Sequence, residues 1–234
     1  MEDTRTVGRK LVGWVPPPLP GPQVIEGRSV RLERMDADTH AAGLYAAYSG
    51  HDDLWDYMPA GPFSSASAYH RWVKESAMGT DPMFYVMRDR ASGQAGGVAA
   101  FMRIAPEHGS IEVGNICIAP VMQRSLAATE AMFLMMDWAF TAGYRRYEWK
   151  CNALNLQSRR AAQRYGYSYE GVFRQHFIIK GRNRDTAWYS VIDAEWVALK
   201  EAYQKWLAPA NFDAQGRQRM ALSALTGPLL KQRG

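Results

Sequence analysis

The 234-residue chain holds two cysteines, Cys117 and Cys151, and nothing close to the roughly 20 uninterrupted apolar residues that cross a bilayer. Its richest apolar run, around Ala131–Phe140, is short and contains Asp137. A membrane span is thereby excluded. Both cysteines sit inside apolar, strand-like runs, which argues against a disulfide framework and for a reducing, cytoplasmic setting. The N-terminus opens with Glu2, Asp3, Arg5, Arg9 and Lys10 and lacks the apolar core of a secretory signal. The five histidines, His40, His51, His70, His108 and His176, show no ligand spacing with cysteines or acids, so no metal site is expected. Internal repeats are absent too.

What is present describes a packed protein. The composition is 47% hydrophobic and 12% aromatic, with eight Trp and only 22% charged residues, the opposite of a disordered chain. The length suits one generous core. The net charge of +5 is unevenly spread: residues 1–143 carry 12 basic and 16 acidic side chains, 144–190 carry 10 and 3, and 191–234 carry 6 and 4. A local positive excess fits a nucleotide-sized anion better than a long phosphate track. Aromatics interleave with Arg in that region, but no helix-turn-helix, zinc spacing or RNA-binding aromatic signature accompanies them, so nucleic acid is not the expected partner.

The pattern along the chain alternates strands and helices. Residues 1–25, with Pro16-Pro17-Pro18-Leu19-Pro20-Gly21-Pro22, read as an extended arm lying on the domain. Ser29–Glu33 alternates as a strand, Asp36 opens a helix through Ala41, Leu44 and Ala47, and a second helix starts at Ser64 or Ser65. Three strand runs follow in meander order, at 84–87, 97–104 and 110–118, joined by Ser92-Gly93 and Pro106-Glu107-His108-Gly109. The third run stops at Pro120. A long helix is predicted from Ser125 to Ala142 with Gly143 as its stop, then a strand at 147–151, a helix from Leu156 to Tyr165 closed by Gly166, two strands joined near Lys180-Gly181, and a helix from Ala194. Strand, long helix and strand in succession imply a right-handed crossover and one parallel pair in an otherwise antiparallel sheet. The main domain is expected to span 26–207, with 208–234 as an appended segment. A ligand is expected where the third meander strand hands over to the long helix.

That handover reads Ala119-Pro120-Val121-Met122-Gln123-Arg124-Ser125-Leu126-Ala127-Ala128-Thr129-Glu130. A helix N-terminus offers unpaired N–H groups and a positive dipole end, and small first-turn residues let a phosphate approach. An ordinary capped helix would look the same. A second segment, Asn155-Leu156-Gln157-Ser158-Arg159-Arg160 followed by Gly166-Tyr167, also begins with a capping residue and ends with a helix stop.

Together the two segments resemble the GNAT superfamily of N-acetyltransferases. The first is similar to its acetyl-CoA pyrophosphate loop, Gln/Arg-x-x-Gly-x-Gly/Ala, with Gln123 and Ala128 in place and Leu126 where a Gly is usual. The second is similar to its Asn-x-x-Ser helix ending in Gly-Phe, with Tyr167 for Phe. The runs Glu112–Ile116 and Ala128–Ala131 resemble the bacterial ribosomal-protein N-terminal acetyltransferases. The likeness covers about Arg28 to Trp196, and it implies a mixed, mostly antiparallel α/β sheet, flanked by helices, with its parallel pair splayed at the cofactor cleft.

It further implies acetyl transfer from acetyl-CoA to a primary amine, a small molecule or a protein N-terminus, by direct attack. The chemistry needs N–H donors for the thioester oxygen, a base, and a proton donor for the sulfur. Ile116 and Ile118 are the expected backbone donors. Glu112 is the expected base, on one strand face with Gly114 and Ile116, unless it is a solvated strand charge or a structural partner of an Arg, or a water chain does the work. Many relatives use a Tyr as the donor; Ala162 stands at its position, so Ser158 is the replacement candidate. Gln123, Arg124, Ser125, Ala127, Ala128, Thr129, Asn155 and Arg160 are expected on the cofactor, the arginines as forks for phosphate. Trp55, Tyr57 and His176 are expected on the acceptor, within two groups that also contain Phe63, Asp52, Asp53, Asp56, Arg182, Asn183, Arg184, Asp185 and Trp188. A homodimer is left open. Leu126 and Ala162 also support a different reading, a catalytically idle CoA-binding or regulatory module.

Overall fold

The computed structural model describes residues 8–234; the first seven residues of the expected arm lie outside them. Eight strands form one sheet: β1 (Val24–Glu26), β2 (Val30–Arg34), β3 (Met83–Asp89), β4 (Ala95–Ala105), β5 (Ser110–Ile118), β6 (Arg146–Asn152), β7 (Ser168–Ile179) and β8 (Arg182–Ile192), in the order β1-β2-β3-β4-β5-β6-β8-β7. Every pairing is antiparallel except β5 with β6. The crossover between those two is α3 (Leu126–Thr141), so the parallel pair arises as the strand–helix–strand order requires. The sequence pattern does not show β1, because three residues are too few for a period. It adds an edge strand where the arm was expected to end.

Helices cover the two faces differently. On one, α1 (Ala37–Tyr48) and α2 (Ala66–Trp72) bury Leu44, Tyr48 and Tyr69 against Phe84, Val86, Val98, Ala100 and Cys117. Asp36 and Ser65 start these helices by accepting the N–H groups of Thr39 and Ala68. On the other face lie α3, α4 (Leu156–Arg164) and α5 (Asp193–Leu207). Helix α3 is apolar almost all round because it is covered on both sides: Met132, Met135 and Met136 join the sheet-side core, while Phe133 and Phe140 stack on Trp196 of α5 at 6.1 and 5.0 Å.

Segments outside the regular core are tied down by named bonds. The proline stretch is pinned where Tyr144 and Tyr85 donate to the carbonyls of Pro18 and Pro22. Residues after α5 return to the domain through a short helix, α6 (Leu222–Thr226), with Thr226 donating to the Arg164 carbonyl and Tyr169 N–H to that of Gln232.

Glu130 on α3 fixes the β1–β2 turn. Its buried carboxylate accepts from the N–H groups of Arg28, Ser29 and Val30 at 2.9, 2.6 and 3.2 Å, and from the Ser29 hydroxyl at 2.5 Å. Removing one acceptor that serves three backbone donors strands them all. Glu130→Ala is expected to cost about 3 kcal/mol in urea unfolding, with Glu130→Gln losing less.

Candidate active site

The site begins with a break in the sheet. Strands β5 and β6 pair only from Ser110↔Arg146 to Val113↔Trp149. Beyond that point β5 stays with β4 up to Gly97↔Ile118, while β6 stays with β8 through Asn152↔Thr186, so a wedge opens between them. Asn115 marks the cause: its φ of 49° is left-handed, and the β4–β5 register shifts between Val98↔Cys117 and Ala100↔Gly114. An extra residue there makes a bulge that bends β5 away.

The bulge also overturns one expectation. Simple alternation would put Ile116 on the face of Glu112 and Gly114, but the extra residue resets the phase. Cys117 instead packs in the α1/α2 core, while Ile116 and Ile118 pack against the α3 core. The backbone of Ile118 remains where it was expected. Ala119 N–H donates to the Gly96 carbonyl, so alternation turns the N–H and C=O of Ile118 away from β4, into the wedge. Gln123 Nε2 reaches that carbonyl at 2.9 Å.

At the foot of the wedge stands the first turn of α3. Ser125 is its cap, accepting from Ala128 N–H at 3.0 Å, and Arg124 precedes it at φ 59°. Gln123 and Arg124 are exposed, and Ser125 and Leu126 are half-buried. Three of the expected cofactor contacts behave otherwise: Ala127, Ala128 and Thr129 are buried, and Thr129 Oγ1 is occupied by the Ser125 carbonyl and by Arg164. Their small size packs the helix start onto the core. Across the wedge, Asn155 caps α4 by accepting from Ser158 N–H at 3.0 Å, and Ser158 Oγ accepts from Trp149 Nε1 at 3.0 Å. That leaves the Ser158 hydroxyl proton free to point elsewhere. Ala162, one turn on, is fully buried. Arg160 is exposed, whereas its neighbour Arg159 is tied to the Ala153 carbonyl and Tyr189. The free edge of β5 and an uncovered helix start fit an extended thiol ester with a phosphate end, the shape of acetyl-CoA.

Glu112 is not presented as a base. Its side chain is 3% exposed, with Arg103 Nη1 at 2.8 Å and Lys150 Nζ at 2.8 Å. Neither cation stands out in the sequence, since Arg103 and Lys150 come from different strands and only the register aligns them. The bonds continue as a chain of alternating sign: Lys150–Glu148 at 2.6 Å, Glu148–Arg146 at 2.5 Å and Arg146–Glu170 at 2.5 Å. Three carboxylates and three cations are matched across the sheet, and burial of Glu112, Lys150 and Glu148 makes the inner pairings obligatory.

Of the expected acceptor residues, Trp55 is a core residue, 4% exposed and packed edge-on against Tyr48 and Phe63 at 5.4 and 5.1 Å. Its carbonyl accepts Lys180 Nζ from the β7–β8 hairpin at 2.7 Å, and Tyr57, largely exposed, reaches the Leu154 carbonyl at 3.4 Å. The loop after α1 therefore arches onto both the hairpin and the β6–α4 turn. His176 lies in a β7 bulge, stacked on Phe177 at 3.8 Å and facing Trp188 at 5.9 Å. Its Nδ1 is buried without a partner among the described residues. Burial, then the cations Arg184, Arg103 and Lys150, hold its pKa below the ordinary value. An open cavity of about 880 Å³ adjoins it, lined by Phe173, Arg174, Gln175, His176, Asn183 and Asp185. Both cysteines are buried, and burial pushes the Cys117 thiol up to about 12.

Known proteins share this fold. A model of the acetyltransferase (GNAT) domain matches residues 29–168. A GCN5-related N-acetyltransferase from Brucella melitensis is 46% identical, over 92% of this chain and 99% of its own, with a TM-score of 0.89. A probable GNAT-family acetyltransferase from Chromobacterium violaceum is 36% identical, over 83% and 98%, with a TM-score of 0.78. At 20% identity over 71% of this chain and 93% of its own, the self-immunity acetyltransferase MccE, solved with acetyl-CoA and AMP, shares the fold (TM-score 0.63). Ribosomal-protein serine acetyltransferases share it at 18–19% identity. No curated protein sequence matches the chain. The chain belongs to the GNAT acetyltransferase family.

The ladder carries a pH signature. Arg146 holds the Glu170 carboxyl below its ordinary value of 4.5; burial raises that of Glu148, but Lys150 and Arg146 outweigh it and the net shift is downward. A depressed folded-state pKa gives stability that is complete above the unfolded value and disappears as pH falls through the folded one. The melting temperature is expected to fall on acidification below pH 4.5, and Arg146→Met to flatten that slope, as differential scanning calorimetry would show.

Proposed function

We propose that the protein is an acetyl-CoA-dependent N-acetyltransferase that acetylates a primary amine. The wedge between β5 and β6, with the start of α3 at its foot, carries this reading. Acetyl-CoA, when bound, supplies the acetyl group. Ile118 N–H, and Ile116 N–H by alternation, are the donors for the carbonyl oxygen in the wedge. Arg124, Ser125, Leu126 and Arg160 form the surface for its phosphates. Ser158, oriented by Trp149, donates the proton that the departing sulfur needs. Direct attack by the amine is favoured over a cysteine-bound acyl group, because both thiols are buried and pushed toward the protonated form.

The amine must lose a proton. Glu112 is enclosed by two cations, so His176 takes that role in this reading: burial and nearby cations hold its pKa below the ordinary value, and its Nδ1 has no partner among the described residues. A protein N-terminus and a small amine both remain acceptors of the right chemistry.

Thiol release with acetyl-CoA and a panel of amines tests the reaction, alongside acetyl-CoA calorimetry. Turnover is expected; binding with no turnover on any amine would replace this reading with an idle CoA-binding module. Ser158→Ala is expected to lower kcat about tenfold, together with a stability loss of about 1 kcal/mol from the stranded Trp149 N–H. The acidic limb of the kcat/KM profile should lie below pH 6.5, since a base with a lowered pKa stays deprotonated further into acid. His176→Gln should abolish that limb and cost roughly a hundredfold; a retained limb would assign the base elsewhere.

A further inference from the structure

Once the charged ladder is matched, a half-buried cation on the same sheet face is left without an ion pair among the described residues. Arg103, Lys150 and Arg146 are each bonded to Glu112, Glu148 or Glu170. Arg184 on β8 has no such partner. Its one hydrogen bond among the described residues runs from Nε to Thr186 Oγ1 at 3.2 Å, and its guanidinium lies 5.8 Å from the centre of the Phe177 ring. Both Nη groups, with four N–H donors, are unspent.

Its position follows from the register. Residues 184, 186 and 188 alternate onto one face of β8, and Trp188 pairs with Lys150, whose Nζ sits 3.9 Å above the Trp188 ring. Arg184 therefore shares the face of the ladder, one strand beyond the open end of the wedge. Burial opposes its charge, Glu112 attracts it and Arg103 repels it. A half-buried guanidinium held against both desolvation and a second arginine is costly unless something anionic arrives.

Two further groups on this face point the same way. Among the described residues, Trp188 Nε1 is a buried donor with no partner and His176 Nδ1 a buried ring nitrogen with none, the two rings being 5.9 Å apart. Buried polar groups normally find partners, and His176 lines an open cavity, so these unpaired groups indicate ligand atoms that would complete them. An oxyanion meets the needs of Arg184 and Trp188, both donors. An amine meets the need of His176, an acceptor when neutral.

We propose that the acceptor is an amine that also carries an oxyanion, a carboxylate or phosphate, and that Arg184 is the residue that selects it. The proposal rests on the acetyl-transfer reading and names its substrate class. Arg184 binds and orients; the proton is taken at His176. A planar guanidinium can grip two oxygens of either group at once, which gives direction as well as affinity. The uncompensated charge also discriminates against amines that bring only a second cation.

Matched amines decide it: amino acids against their amides, and phosphorylated amino alcohols against the free alcohols. Each is titrated calorimetrically into the CoA-saturated protein and assayed for thiol release with acetyl-CoA. The acid-bearing member is expected to bind roughly tenfold to a hundredfold more tightly, and the carboxylate and phosphate pairs tell which oxyanion is preferred. Arg184→Gln should bring the ratio within each pair close to one, and Arg184→Lys should restore part of it, which a purely structural role would not do. Equal binding within every pair, binding of no member, or a ratio that survives Arg184→Gln would overturn the proposal. Selective binding without turnover would leave it standing and overturn the acetyl-transfer reading instead.

Discussion

The structure depends on how far β5 and β6 stay together. They share four residue pairs and then part, because a left-handed Asn115 inserts one extra residue into β5. Each strand keeps its other neighbour, so the sheet loses no continuity while its middle opens. The backbone groups exposed there would be a liability in an ordinary sheet. Here they form one wall of a slot whose floor is the start of α3 and whose opposite wall is α4.

The same bulge divides the chemistry between the two sheet faces. Before it, Ile111 and Val113 face α3, and Glu112 faces the other way; after it, Ile116 and Ile118 face α3, and Cys117 faces α1 and α2. Without that change of phase Cys117 would point into the α3 core. The charged ladder occupies the face that Glu112 shares, where it rigidifies β4, β5, β6 and β7 through bonds between strands. A ladder with a buried centre is poor evidence for added stability, since those charges had to be desolvated, but each buried member is costly to lose alone. Its strict matching is also what makes the unmatched Arg184 visible.

Much of the fold is legible in the sequence. Helix starts at Asp36, Ser65 and Ser125 and stops at Gly143 and Gly166 are governed by local chemistry: a side chain that accepts a nearby N–H, or a residue tolerant of positive φ. The meander and the parallel crossover follow from turn residues and element order. The candidate site is legible in part. Gln123, Arg124, Ser125, Ser158 and Asn155 lie at the two helix starts where the motifs placed them. Ala127, Ala128 and Thr129 turn inward because a helix face is fixed by what packs on it, and Trp55 does so because its ring completes an aromatic cluster.

By itself the sequence determined the elements, their order, their caps and the segment where a ligand would meet a helix start, since all of these depend on neighbours within a few residues. Only the tertiary structure decided what Glu112 and Arg184 are for. Arg103 lies nine residues before Glu112 and Lys150 thirty-eight after it, and strand register alone brings both to its carboxylate. Hence a residue that alternation marked as a base became a buried counter-ion. An arginine lost among the many charges of residues 144–190 became a half-buried cation with no ion pair among the described residues, because pairing is a property of the folded sheet.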